Sequence, residues 1–90
     1  MAVLEIEKDP NSRLDYGFTW ADWLVQDTIV ASEWIVPSDL TNILDYFTDT
    51  DAIIWLEGGV VGNTYEITNH ITTAAGREED RSLIIIMKER

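Results

Sequence analysis

Few side chains in this chain could do chemistry, and they fall in short stretches. His70 is the single histidine and the natural place to look for a general base. It stands mid-strand among threonines, with no serine or cysteine signature beside it. Nucleophilic catalysis needs a nucleophile, a base and an orienting group in hydrogen-bond reach, so a solvent-facing structural histidine is the expectation. Asp49-Thr50-Asp51 spaces two carboxylates as metal ligands are spaced, and Glu78-Glu79-Asp80 is a second oxygen-rich stretch. Calcium takes about six to eight oxygens converging from several segments, so both read as turn residues with solvated charge. Gly58-Gly59-Val60-Val61-Gly62 lacks the lysine and the strand-to-helix setting of a phosphate loop. Paired carboxylates could hydrolyse a glycoside, but only in a cleft that a thin sandwich seldom offers. Of the four tryptophans, Trp20 and Trp34 fall on predicted core faces, which leaves Trp23 and Trp55 as candidate carbohydrate platforms. No catalytic, cofactor or metal site is assigned, and the chain reads as a non-enzyme.

The elements that carry these residues are strands. Thr, Ile, Val, Trp and Tyr suit a pleated, half-buried surface, and helical periodicity is poor. Turn signals recur at Asp9-Pro10-Asn11, Pro37-Ser38-Asp39, Asp49-Thr50-Asp51, Gly58-Gly59, Gly62-Asn63 and Ala75-Gly76. The expected fold is all-β: a single antiparallel sandwich of immunoglobulin or fibronectin type with about seven strands. Residues 1–8 read as an N-terminal β-arm and residues 9–90 as the sandwich domain.

Alternation assigns the faces. Leu14, Tyr16, Phe18 and Trp20 share one face, and residues 21–24 continue as a bend or short strand. In 28–36, Val30, Ser32, Trp34 and Val36 are placed inward so that Glu33 meets water. Residues 42–48 form a weaker strand and 52–56 a stronger one, joined by a turn at Thr48-Asp49-Thr50-Asp51. In 64–72, Tyr65, Ile67 and Ile71 point inward, with Asn69 interrupting. Tyr65 follows a Gly-Asn turn and resembles the corner tyrosine of immunoglobulin-like domains. Tyr65, Trp20 and Trp34 are therefore assigned structural roles.

The last strand poses a problem. Leu83, Ile85 and Met87 make a complete core face, so a period of two turns Ile84 and Ile86 outward. Trp55, between Ile54 and Leu56, points outward by the same rule. Either both faces of the last strand are covered, for instance by Val3-Leu4-Glu5-Ile6, or these residues form a contact surface for another chain. The balance leans to an interface, because two isoleucines and a tryptophan are unusually apolar for free surface. Its candidate residues are Trp55, Ile84, Ile86, Val3, Ile6 and Trp23.

Composition bounds the rest. Ninety residues make one domain, which buries roughly 60–65% of its unfolded surface. A net charge of −11, from 17 acidic and 6 basic residues, argues against nucleic-acid binding, where lysine and arginine neutralise phosphate. There is no cysteine for a disulfide, and no apolar run approaches the roughly 20 residues of a membrane span. The expected chain is soluble, without a signal segment, and has neither nucleic acid nor membrane as a partner.

Leu14-Asp15-Tyr16, Trp20, Trp23-Leu24, Asp27-Thr28-Ile29, Ser32 and Trp34 followed by Pro37 make a series with a resemblance. So do Trp55-Leu56-Glu57-Gly58-Gly59, Gly62-Asn63-Thr64-Tyr65, Thr68-Asn69, Ile71-Thr72-Thr73-Ala74-Ala75-Gly76-Arg77 and Asp80-Arg81-Ser82. Together they resemble a family of small tailed-phage virion proteins, labelled fiber–tail adaptor or head–tail region structural proteins. The family's W-L-x-G-G, T-Y-x-x-T-N-x-I-T-T and G-R-x-x-x-R-S patterns are all matched, from about Asp9 onward. They carry no chemistry and identify a scaffold. Two departures add apolar surface: Ile84 and Ile86 stand where the family usually has charge, and Ile43, Leu44, Tyr46 and Phe47 stand in an expected polar run.

The resemblance implies a non-enzymatic virion protein, made in the host cytoplasm and present in several copies, with copies of itself in a ring. It would join tail, connector or fiber proteins at the fiber–tail or head–tail junction. The alternative is a surface-binding module for carbohydrate or host receptor that uses Trp23 or Trp55, with calcium as an assisting ion. On the first reading, Ile84→Lys combined with Ile86→Lys leaves a folded monomer that fails to enter particles. Thermal unfolding and particle composition check this, and loss of the cooperative transition would instead place both residues in the core.

Overall fold

The computed structural model describes residues 4–88. Its elements run β1 (Leu4–Lys8), β2 (Arg13–Thr19), α1 (Ala21–Leu24), β3 (Ile29–Ile35), β4 (Leu40–Phe47), β5 (Asp51–Gly58), β6 (Thr64–Thr73) and β7 (Glu78–Met87). They form two packed sheets, a four-stranded one in the order β1-β7-β6-β3 and a three-stranded one in the order β2-β5-β4. The chain is thus a β-sandwich with open sheets. Four of the five strand pairings are antiparallel; β1 runs parallel to β7.

The sandwich follows from strict alternation in three strands. Ala52, Ile54 and Leu56 of β5, Ile67, Asn69 and Ile71 of β6, and Leu83, Ile85 and Met87 of β7 are all buried, and the residues that alternate with them are not. Each such Leu, Ile or Met stabilises the fold by about 1.5–3 kcal/mol, and a one-residue slip would turn all of them to water. Tyr16 and Phe18 bring the β2 side of the core, and Trp34 stacks on Phe18 at 5.9 Å.

Two local readings are corrected. Residues 21–24 form one helical turn, after which Val25 (φ 36°) and Gln26 (φ 61°) reverse the chain toward β3. In β3 a bulge between Ile29 and Ala31 shifts the phase, so Ile29 is buried while Val30, expected inside, is 54% exposed. An extra residue on one strand turns the side chains on either side of it to opposite faces. Beyond the bulge Trp34 is buried and Ser32 half-buried, both on the inner face.

A polar frame locks the two sheets. Trp20, fully buried where β2 gives way to α1, donates its indole N–H to Asn69 Oδ1 at 3.1 Å. The Asn69 amide donates to Ser32 Oγ and to the Glu33 carbonyl, which explains an asparagine in a core position of β6. The Arg81 guanidinium lies 4.1 Å above the Trp20 ring and donates to the Thr19 carbonyl. At the other end, Lys8 is only 1% exposed and donates Nζ to the carbonyls of Asp9, Ser12 and Gly58. Burial lowers its pKa. Gly58 and Gly59 have φ of +88° and +99°, and a Cβ at Gly59 would stand 2.5 Å from Met87 Cε.

The Tyr65 hydroxyl closes the same end. It donates to Asp39 Oδ2 at 2.8 Å and accepts from the Val60 backbone N–H and from Asn63 Nδ2. The buried Tyr16 hydroxyl, by contrast, finds no partner among the described residues. Tyr65→Phe is therefore expected to cost about 1–2 kcal/mol, whereas Tyr16→Phe is neutral or slightly stabilising. Paired urea unfolding curves check the contrast.

Candidate interaction surfaces

The outer face of the four-stranded sheet carries Ile84 and Ile86. Interior strand β7 places Ile84 opposite Glu5 of β1 and Glu66 of β6, and Ile86 opposite Glu7 and Thr64. Residues opposite in register share a face, so both isoleucines are half-buried in a row of mostly acidic neighbours. Glu7 also pairs with Lys88. Along the same face His70 bonds Asp80 and Glu78, and Glu33 stands opposite it. The hydrogen bonds from Asp80 and then Glu78 raise the His70 pKa, because both favour the imidazolium. This face is acidic, with a narrow apolar strip.

The outer face of the three-stranded sheet is different. Trp55 and Ile53 of β5 are half-buried there, with Leu44 and Tyr46 of β4 opposite them on one side and Asp15 and Gly17 of β2 on the other. Leu44 is 55% and Tyr46 47% exposed, and Ile43 and Phe47 are exposed beside them. Only Leu40 of β4 is buried. A bulge between Asn42 and Leu44 lets apolar residues reach both sides of this edge strand. Trp55 therefore lies on the opposite side of the sandwich from Ile84 and Ile86, and the three do not form one patch. The neighbours that Trp55 does have, Leu44 and Tyr46, were visible in the sequence as an unexpectedly apolar stretch. Pairing them with Trp55 required the register.

The remaining candidates serve the fold. Trp23 packs edge-on against Trp20 at 5.5 Å, and the Arg77 guanidinium lies 4.3 Å over its ring. Arg77 also donates to the Leu24 carbonyl and to both sides of a pair with Asp27 Oδ2, through Nε and Nη2. Ile6 packs against the core, and Val3 lies outside the described residues. Thr48 Oγ1 accepts from the backbone N–H groups of Thr50 and Asp51, so the Asp49 stretch is a turn. Among the described residues no group of acidic or histidine side chains is placed to hold a metal ion.

A family model described as podophage GP4 fiber-tail adaptor protein gp77 matches residues 8–86. The chain belongs to that family. No curated protein matches it. The fiber-tail adaptor match runs from the buried Lys8 to Ile86 and so takes in all seven strands, β1 by its last residue. The motifs inside it are scaffold. W-L-x-G-G supplies buried Leu56, Gly58 against the Asp39 carbonyl and Gly59 under Met87, and the threonine-rich strand supplies Tyr65 and Asn69. The arginines of G-R-x-x-x-R-S cover Trp23 and Trp20.

Asp27 shows how tightly this corner is held. Hydrogen bonding from the Thr73 side chain, then from Thr28 N–H, Arg77 and Ala75 N–H, lowers its pKa to about 2 against a partial opposing effect of burial. A depressed carboxyl contributes stability that is present above its unfolded value and lost as pH falls through the folded one. The melting-temperature gap between wild type and Asp27→Asn is thus expected to hold from neutral pH down to about 4 and to shrink toward about pH 2. Calorimetry across that range checks it.

Proposed function

We propose that this protein is a non-enzymatic connector in the phage virion, present in several copies at the tail, that joins fiber to tail through protein–protein contacts. The carrying observation is the fiber-tail adaptor family match, combined with an apolar stripe of Leu44, Tyr46, Ile53 and Trp55 on a sheet face that no other described strand covers. An adaptor must hold two partners, and the sandwich has two outer faces of different chemistry. One is acidic with Ile84 and Ile86 between carboxylates, the other apolar. Copies of the chain would take their ring arrangement from the tail.

The topology supports a rigid scaffold. With β2 to β7 taken as strands B to G, the sheets read B-E-D and C-F-G, the order of an immunoglobulin-type domain, and Tyr65 takes the corner-tyrosine position. The carbohydrate reading loses one of its two candidate platforms, because the Trp23 ring is occupied by Trp20 and Arg77.

The test is complementation of a phage lacking this gene. Leu44→Lys changes an exposed side chain and is expected to alter stability by no more than about 0.5 kcal/mol. Particles made with it should lack fibers or lack the adaptor. Fully fibered, infectious particles would count against the apolar stripe as the contact surface.

A further inference from the structure

A sandwich with open sheets has four free edges, and three of them are defended. Strand β1 (LEIEK) has three charged residues in five, β2 (RLDYGFT) carries Arg13 and Asp15, and β3 (IVASEWI) carries its one charge, Glu33, on the outer face opposite His70. Charges and proline keep an exposed strand from pairing with another chain. Strand β4 (LTNILDYF) has one charge in eight residues and no proline. That charge, Asp45, stands opposite Ile54 on the inner side, where Asn42 Nδ2 donates to it at 2.8 Å. The outer side of β4 is left to Leu44 and Tyr46. Among the described residues β4 pairs only with β5, so its other edge presents N–H and C=O groups that no described strand takes up past the bulge at Ile43.

Charge decides what fits there. The stripe is flanked on the same face by Asp15, opposite Trp55, and by Asp51 at the start of β5. Arg13, two residues before Asp15, is paired with Glu57 at 2.9 Å. A second copy would bring a like rim and a net charge of −11 against this one. A strand with lysine or arginine beside its apolar residues would meet complementary charge.

We propose that β4 accepts an extended segment of a partner protein, apolar at alternate positions and basic between and beyond them, as a fourth strand of the sheet β2-β5-β4. The main chain of the segment pairs with residues 44–47, and its apolar side chains lie beside Leu44 and Tyr46 at the margin of Trp55. This rests on the adaptor reading and names the chemistry of one partner.

The experiment uses the full chain and two synthetic peptides, one alternating isoleucine with lysine and one alternating isoleucine with glutamate. Amide hydrogen exchange and tryptophan fluorescence are followed together. The lysine peptide should slow exchange in β4 and shift the Trp55 signal, and should bind at least about tenfold more tightly than the glutamate peptide. Leu44→Lys should remove that binding while leaving the exchange of β6 and β7 unchanged. Binding without protection of β4, equal binding of the two peptides, or no binding of either would overturn the proposal. So would a concentration-dependent dimer, seen by ultracentrifugation and abolished by Leu44→Lys, since a second copy would then occupy the edge. If no peptide binds but Leu44→Lys particles still lose their fibers, strand addition fails and the adaptor reading stands. If peptide binding behaves as proposed but those particles keep their fibers, the adaptor reading of this surface fails instead.

Discussion

A hydrogen bond across the buried interior, from the Trp20 indole to the Asn69 side chain, sets the relation between the two sheets. Trp20 sits where the chain leaves the three-stranded sheet, and Asn69 lies in the middle of β6 in the other. An indole N–H or a carboxamide buried alone would cost about 1–3 kcal/mol, so each residue requires the other. Arg81 above the Trp20 ring and Arg77 above Trp23 then hold the helical turn that carries the chain from β2 to β3. Both arginines come from the run that leads into and begins β7. The corner is therefore fixed from the end of the chain furthest along the sequence.

Fixing the sheets in this way leaves little room for other functions inside. The interior is one layer of side chains thick, and its positions are taken by core residues and the polar pairs that lock them. Whatever the protein recognises must meet an outer face or an edge. On the four-stranded side, Glu5, Glu66 and Glu7 surround Ile84 and Ile86, and the His70 cluster extends the acidic surface. On the three-stranded side, the apolar stripe ends at the bare edge of β4.

Much of this was legible in the sequence because strands with one buried face write their phase into it. The inward sets of β5, β6 and β7 follow directly from alternation, and Trp20, Trp34 and Tyr65 fall where aromatic residues at strand ends and turns were expected to pack. Alternation failed at Val30, where a bulge adds a residue that no local pattern announces. It also could not say that the arm leading to Lys8 joins its own chain beside β7, or that Lys8 would be buried by two carbonyls of the turn at 9–12 and a third from Gly58. The interaction surface was half legible. Trp55 was identified as pointing outward, and the 43–47 stretch as too apolar, but only register places Leu44 beside Trp55 and Ile84 on the far side of the sandwich.

The most direct test of the central claim is a cryo-electron density map of the intact phage tail, resolved well enough to place the sandwich by its four tryptophans. The account predicts density from a different protein running along β4 and closing over Leu44, Tyr46 and Trp55. A map in which that edge and face look onto solvent, while the contacts to tail and fiber are made elsewhere on the sandwich, would contradict it.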